Sequence, residues 1–291
     1  MSKANSAENE KPATSLGEPG AAAHVDGGDN GSGPNAEADE YNELLASLGR
    51  TYDQDCRVAV HEAGHIVAAR LLGHPLGGAT VDPDPNGKYG GLVWGPRHSV
   101  AYGRDDDLDE VPEICDKLRE MMPADGEPRT DAADIYLHAL NRCIELVAAS
   151  VAERMLLDGE PVPSVSDVEH AMKYASLVCK SPEAADRFVR LCEAMADDLL
   201  RPYGDVVIAL STVLRTKRTL NGREIDKIIW DVETRKALAI EHRRRAEWRK
   251  AEVDAERFRA QCVATLPQRR HVLHQTRCVI SDTDDQMARR T

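Results

Sequence analysis

His61-Glu62-Ala63-Gly64-His65 is the segment whose residue types and spacing most directly spell out a reaction. Residues four apart on an α-helix lie one above the other, so both imidazoles of this H-E-x-x-H pattern can reach one divalent ion. Glu62 stands about 100° round the helix from His61, beside the open position of such an ion rather than on it. From there it can take the proton of a zinc-bound water, whose pKa the ion lowers to roughly 7. The chemistry is metal-assisted hydrolysis, with Zn²⁺ as cofactor, His61 and His65 as metal ligands and Glu62 as the catalytic base. A pattern with three fixed positions also arises by chance, as two histidines on a solvated helix face. The flanks speak for a site. Val58, Ala59 and Val60 precede the motif and Ile66, Val67, Ala68 and Ala69 follow it, while small Ala63 and Gly64 leave room for close packing or a substrate backbone.

A catalytic zinc takes three protein ligands and keeps its fourth position for water. The metzincin continuation H-x-x-G-x-x-H is absent, because Ala68 and Leu71 stand where its glycine and histidine would be. The third ligand must come from further along, and two acids compete. Glu153 lies on the shoulder of an apolar helical stripe, as in a thermolysin-like site; its ordinary role there would be an ion pair with Arg154 or Arg57. Asp167 opens the next helix, where the helix dipole favours an acid in any case. Spacing leaves both open.

A scaffold must bring these distant positions together, and its elements can be read from periodicity. Val58, Ala59, Ile66, Ala69 and Leu72 recur at helical spacing, predicting a helix over Tyr52–Leu72 that Gly73-His74-Pro75 ends. Between Ala79 and Trp94 the period changes, predicting two short strands joined by a turn at Asp84-Pro85-Asn86-Gly87. Residues 97–130 are polar and charged and read as an insertion with a short helix at Val111–Met122. The strongest helix is Ala132–Leu157, with Leu137, Leu140, Ile144, Val147, Val151 and Met155 in one stripe. Ser166 with Glu169 three positions on reads as a capping box for the next helix. Helices follow at Pro182–Leu200, Asp205–Arg218 and Ile225 to about Arg259, the last charged and largely solvated. Aromatic residues make up only 4% of the chain, so the core is built from Leu, Val, Ile and Ala, which favours helices over a β-sandwich. The fold class expected is therefore mainly α, a helical domain with a small β-hairpin or sheet. It comprises a disordered acidic leader at 1–40, a structured domain at 41–230 and a charged helical, poorly ordered tail at 231–291.

The motifs, taken in order, resemble the peptidase domain of the FtsH family, the M41 zinc metallopeptidases. Ala59-Val60-His61-Glu62-Ala63-Gly64-His65 with Leu71-Leu72-Gly73-His74-Pro75 is similar to the family's zinc helix. Ala79-Thr80-Val81-Asp82-Pro83 through Gly90-Gly91-Leu92-Val93 looks like the hairpin after it. Ala152-Glu153 looks like the end of an Ala-Ala-Glu signature, and Ser166-Asp167-Val168 like the segment that carries the family's aspartate ligand. Thr219-Leu220-Asn221-Gly222-Arg223-Glu224-Ile225 is similar to its Leu-x-Gly-x-Glu-Ile ending. The resemblance spans roughly Tyr52 to Ile229. It implies that Asp167 is the third ligand, with Glu153 a supporting acid behind a ligand histidine or the alternative ligand. It also implies that Gly90, Gly91, Leu92 and Val93 form a strand edge that binds extended peptide substrate.

The chain departs from the family in having no G-x-x-x-x-G-K-[ST] P-loop and in lacking Gly-Gly before its Ala-Glu. The expected activity is therefore ATP-independent hydrolysis of peptides or unfolded protein segments, unless a separate ATPase partner delivers substrate. A homo-oligomer is a further partner expectation. The rival class is a non-catalytic M41-like scaffold or adaptor. Asp and Glu number 50 against 37 Lys and Arg, a net charge of −13, which disfavours a nucleic-acid partner. Arg243-Arg244-Arg245 in the tail is interleaved with Glu241, Glu247, Glu252 and Glu256, the pattern of ordinary helical ion pairs. The best apolar stretch, Ile144–Leu157, is broken by Glu145, Glu153 and Arg154, so no membrane span is expected. Seven cysteines without a C-x-x-C pair suit a reduced, cytoplasmic location.

Overall fold

A computed structural model describes residues 34–84, 90–96, 111–124, 126–162 and 164–281 of the chain. Most of the leader, residues 85–89 with most of the expected turn, residues 97–110 of the insertion and the last ten residues lie outside them. The described residues up to Leu44 fall in a unit of their own, in which helix α1 (Pro34–Ser47) begins, several residues ahead of the start expected near Tyr41. The rest of the chain is mainly helical with a small antiparallel sheet.

Helix α2 (Tyr52–Leu71) starts at a reciprocal cap. The Thr51 hydroxyl accepts from Gln54 N at 3.2 Å, and Gln54 Oε1 accepts from Thr51 N at 2.9 Å. It stops at Gly73, whose φ of 79° lets the chain turn so that His74 N donates to Ala69 O at 2.8 Å. Between these ends α2 is buried on nearly every side, with Ala59, Ala63, Ile66, Ala68 and Ala69 fully enclosed. It runs against α4 (Ala133–Leu156) so closely that a Cβ on Gly64 would lie 2.8 Å from Ala152 Cβ and 2.9 Å from Ala148 O. Small residues on both faces therefore set this crossing, which holds the motif of α2 against the acids of α4.

Helices α5 (Val165–Val178), α6 (Pro182–Leu200) and α7 (Gly204–Lys217) complete the core with Tyr174, Leu200, Leu210 and Leu214. Short α3 (Val111–Glu120) buries Val111 and Cys115. Helix α4 is by length and composition apolar enough to cross a membrane; in this fold 56% of its apolar window is buried and it serves as a core helix.

Strands β1 (Gly78–Thr80) and β2 (Leu92–Trp94) pair antiparallel with Ala79 opposite Val93, as the hairpin reading expects. A third strand, β3 (Thr219–Asn221), joins the other side of β1 with Leu220 opposite Ala79. The sheet order is β2-β1-β3, so β2 is an outer strand. Sequence reading treats Asn221-Gly222 as punctuation only, because one buried leucine between two exposed residues is too short an alternation to read. Ser166 is likewise corrected as the cap of α5. The cap is Ser164, whose Oγ accepts from Asp167 N at 3.4 Å and meets Ser166 Oγ at 2.8 Å.

Helix α8 (Gly222–Ser281) is continuous through the expected boundary at 230/231 and beyond Arg259. Ile225, Ile228, Ile229 and Val232 pack on the core. Past them, pairs such as Arg244–Glu241 and Arg245–Glu241 stud a largely exposed helix.

Candidate metal centre

One turn of α2 separates His61 from His65, and their rings sit 4.9 Å apart at 83°. The first turn of α5 supplies Asp167, placed by the Ser164 cap. Its Oδ2 lies 3.0 Å from His61 Nε2 and 3.4 Å from His65 Nε2. One donor atom from each of the three residues falls within 4.8 Å of the others, so the group can hold a metal ion. Two imidazole nitrogens and one carboxylate oxygen, with no thiolate, form a donor set that zinc accepts.

The far nitrogens of both rings are tied down. His61 Nδ1 donates to Glu153 Oε1 at 2.8 Å, and His65 Nδ1 donates to the main-chain oxygen of Glu145 at 2.8 Å. These bonds keep a proton on each Nδ1 and turn both Nε2 atoms toward Asp167. Glu153, 2% exposed, stands behind His61 rather than among the three converging donors. Its second oxygen accepts from Arg57 Nη1 at 2.6 Å and from Val162 N at 3.3 Å. Of the roles the sequence left open for it, Glu153 thus has the support of a histidine and the ion pair with Arg57.

Glu62 projects into the same space and is 6% exposed. Gly91 covers it so tightly that a Cβ there would lie 2.5 Å from Glu62 Oε1. Neighbouring Gly90 is fixed through its carbonyl, which accepts from Arg50 Nη2. Arg50 also reaches Val81 O at 2.5 Å and Asp55 at 3.4 Å. Gly90, Gly91, Leu92 and Val93 all line a cavity of about 470 Å³ whose wall includes His61, Glu62, His65 and Asp167.

Proton affinities follow from this crowding. Burial works against charge on His61, but hydrogen bonds to Asp167 and Glu153 and the nearby Glu62 outweigh it and raise its pKa to about 10. His65 is raised too, with burial overcome mainly by Asp167. Asp167 is held far below the usual carboxylate range, because the two imidazoles more than offset its burial. Burial pushes Glu62 up, against the pull of His61 and His65. Glu153 is lowered, its burial outweighed by His61 and Arg57. Three acids enclose two imidazoles, a field that attracts cations.

Sequence reading missed a second part of the cavity wall, formed by His74, Arg142 and Glu145. His74 reads as a helix-surface or packing residue and Glu145 as a break in an apolar run. Only the Arg142–Glu145 spacing of three, which suits a helical ion pair, hinted at their association.

Compared with known proteins, the chain matches no family model and no curated protein sequence.

Proposed function

We propose that the protein is a zinc metallopeptidase, similar to the M41 peptidases, that cleaves peptides or unfolded segments without an ATPase module in the described fold. The observation that carries this is the convergence of His61, His65 and Asp167 donor atoms beside a buried, solvent-shielded Glu62 in one cavity. Zn²⁺ bound by His61, His65 and Asp167 would polarise the scissile carbonyl and acidify the attacking water.

The chain's own groups account for the rest. Glu62 takes the proton from water as oxygen attacks the carbonyl carbon. Its burial favours the protonated carboxyl, so it keeps that proton until the C–N bond breaks and the leaving nitrogen receives it. Glu153 and the Glu145 carbonyl hold the two rings in one tautomer. Along the outer edge of β2, main-chain groups can pair with an extended substrate, with Gly90 and Gly91 keeping the edge clear of side chains.

The test is metal analysis of the chain and its Glu62→Gln variant, together with cleavage of an unstructured peptide. The variant should keep zinc and lose cleavage by at least about 100-fold. Equal cleavage by both chains would overturn the mechanism, and a chain that holds no metal would favour the scaffold or adaptor instead.

A further inference from the structure

Hydrolysis uses the Glu145 carbonyl but leaves its carboxylate, with His74 and Arg142 in the same part of the cavity wall, without a role. His74 is held firmly. Its N–H donates to Ala69 O at 2.8 Å, Gly73 before it turns at φ 79°, and Pro75 follows it. Its ring is held as well, with Nδ1 2.6 Å from Glu145 Oε2. The same oxygen takes Arg142 Nη1 at 2.7 Å, while the Glu145 carbonyl takes His65 Nδ1. Glu145 therefore clamps two imidazoles, one in the metal-binding group and one beyond it.

A carboxylate oxygen already facing a guanidinium accepts rather than donates, so the proton of a neutral His74 ring lies on Nδ1. Nε2 is left as an acceptor with no protein partner among the described residues. An extended peptide paired to β2 satisfies only alternate main-chain groups; the N–H groups between them point away from the strand and need acceptors of their own.

We propose that His74 is a substrate-binding residue whose Nε2 accepts a main-chain N–H from a peptide lying along β2. The assignment deepens the peptidase reading and rests on it. It also gives the Glu145 carboxylate a purpose, as the positioning group that sets the tautomer and angle of His74.

The experiment uses the full chain, loaded with Zn²⁺ and carrying Glu62→Gln, so that peptide binds without being cut. Fluorescence anisotropy follows a fluorescein-labelled extended peptide that the wild-type chain cleaves. It also follows copies in which one amide after another is replaced by an ester, which has no N–H. One ester position should weaken binding about five- to tenfold, the effect of one neutral hydrogen bond. Adding His74→Phe should weaken binding by a similar factor and erase the penalty at that position alone, with zinc content unchanged. His74→Gln, whose Oε1 can stand near the lost Nε2, should keep part of the binding. Identical ester penalties with and without His74→Phe would overturn the assignment and leave the peptidase reading standing. A zinc-loaded wild-type chain that cuts no peptide would overturn both.

Discussion

At the scale of single residues, His61 and Asp167 trade a proton for a metal ion. With its pKa raised to about 10, His61 carries a proton at neutral pH in the metal-free chain, and an incoming ion must displace it. Zinc binding near pH 7.5 should therefore release protons, and affinity should climb with pH toward about 10. Calorimetry in buffers of different ionisation enthalpy would detect this, and uptake without proton release would contradict it. Stability of the metal-free chain follows the same signs. The His61 contribution is complete below its ordinary value of 6.5 and fades as pH rises through about 10. The Asp167 contribution is present above 3.8 and fades as pH falls toward its depressed value. At this scale the histidines and Glu62 were legible, because their spacing lies within one helix. The choice between Asp167 and Glu153 was not, since it depends on how the chain turns between α4 and α5.

At the scale of elements, glycines set the distances between α2 and its neighbours. Gly91→Ala would drive a methyl group into Glu62 Oε1, the far end of a side chain that can yield. The variant should fold and bind zinc as before, yet cleave peptide about 10- to 100-fold more slowly, because the base is displaced. Comparison of melting curves, zinc content and kcat with those of the parent would check this. Most helices were readable from apolar periodicity and caps, as α6 at Pro182–Leu200 shows. Strand β3 escaped because three residues hold too little pattern, and the start of α5 slipped by two because Ser164 and Ser166 both look like caps. What places β3 beside β1 is tertiary: Arg218, at φ 67°, turns the chain out of α7 while its guanidinium grips Asp82 at 2.9 Å.

At the scale of the whole molecule, one carboxylate links several distant segments. Asp55 is fully buried and pairs with Arg218 at 2.8 Å and with Arg50 at 3.4 Å. Through those two arginines it ties the start of α2 to the ends of β1, β2 and α7. Asp55→Ala leaves both cations without their shared partner and should cost about 3–5 kcal/mol, read from denaturant unfolding. A loss below about 1 kcal/mol would show the hub to be dispensable. The mainly helical class was legible from the scarcity of aromatics and the long apolar stripes. This hub was not, since its members are scattered from Arg50 to Arg218 and each looks like an ordinary surface charge.

Helix α8 spans 60 residues, about 90 Å of rise, but its core contacts end near Val232 and residues 242–264 are exposed. Heat should therefore not melt it as one piece with the body. A chain cut after Ile240 should unfold at the same midpoint, within about 2 °C, as the intact protein. Its calorimetric peak should lose only a broad, early shoulder, the trace of a rod unwinding turn by turn while the enclosed interior stays shut.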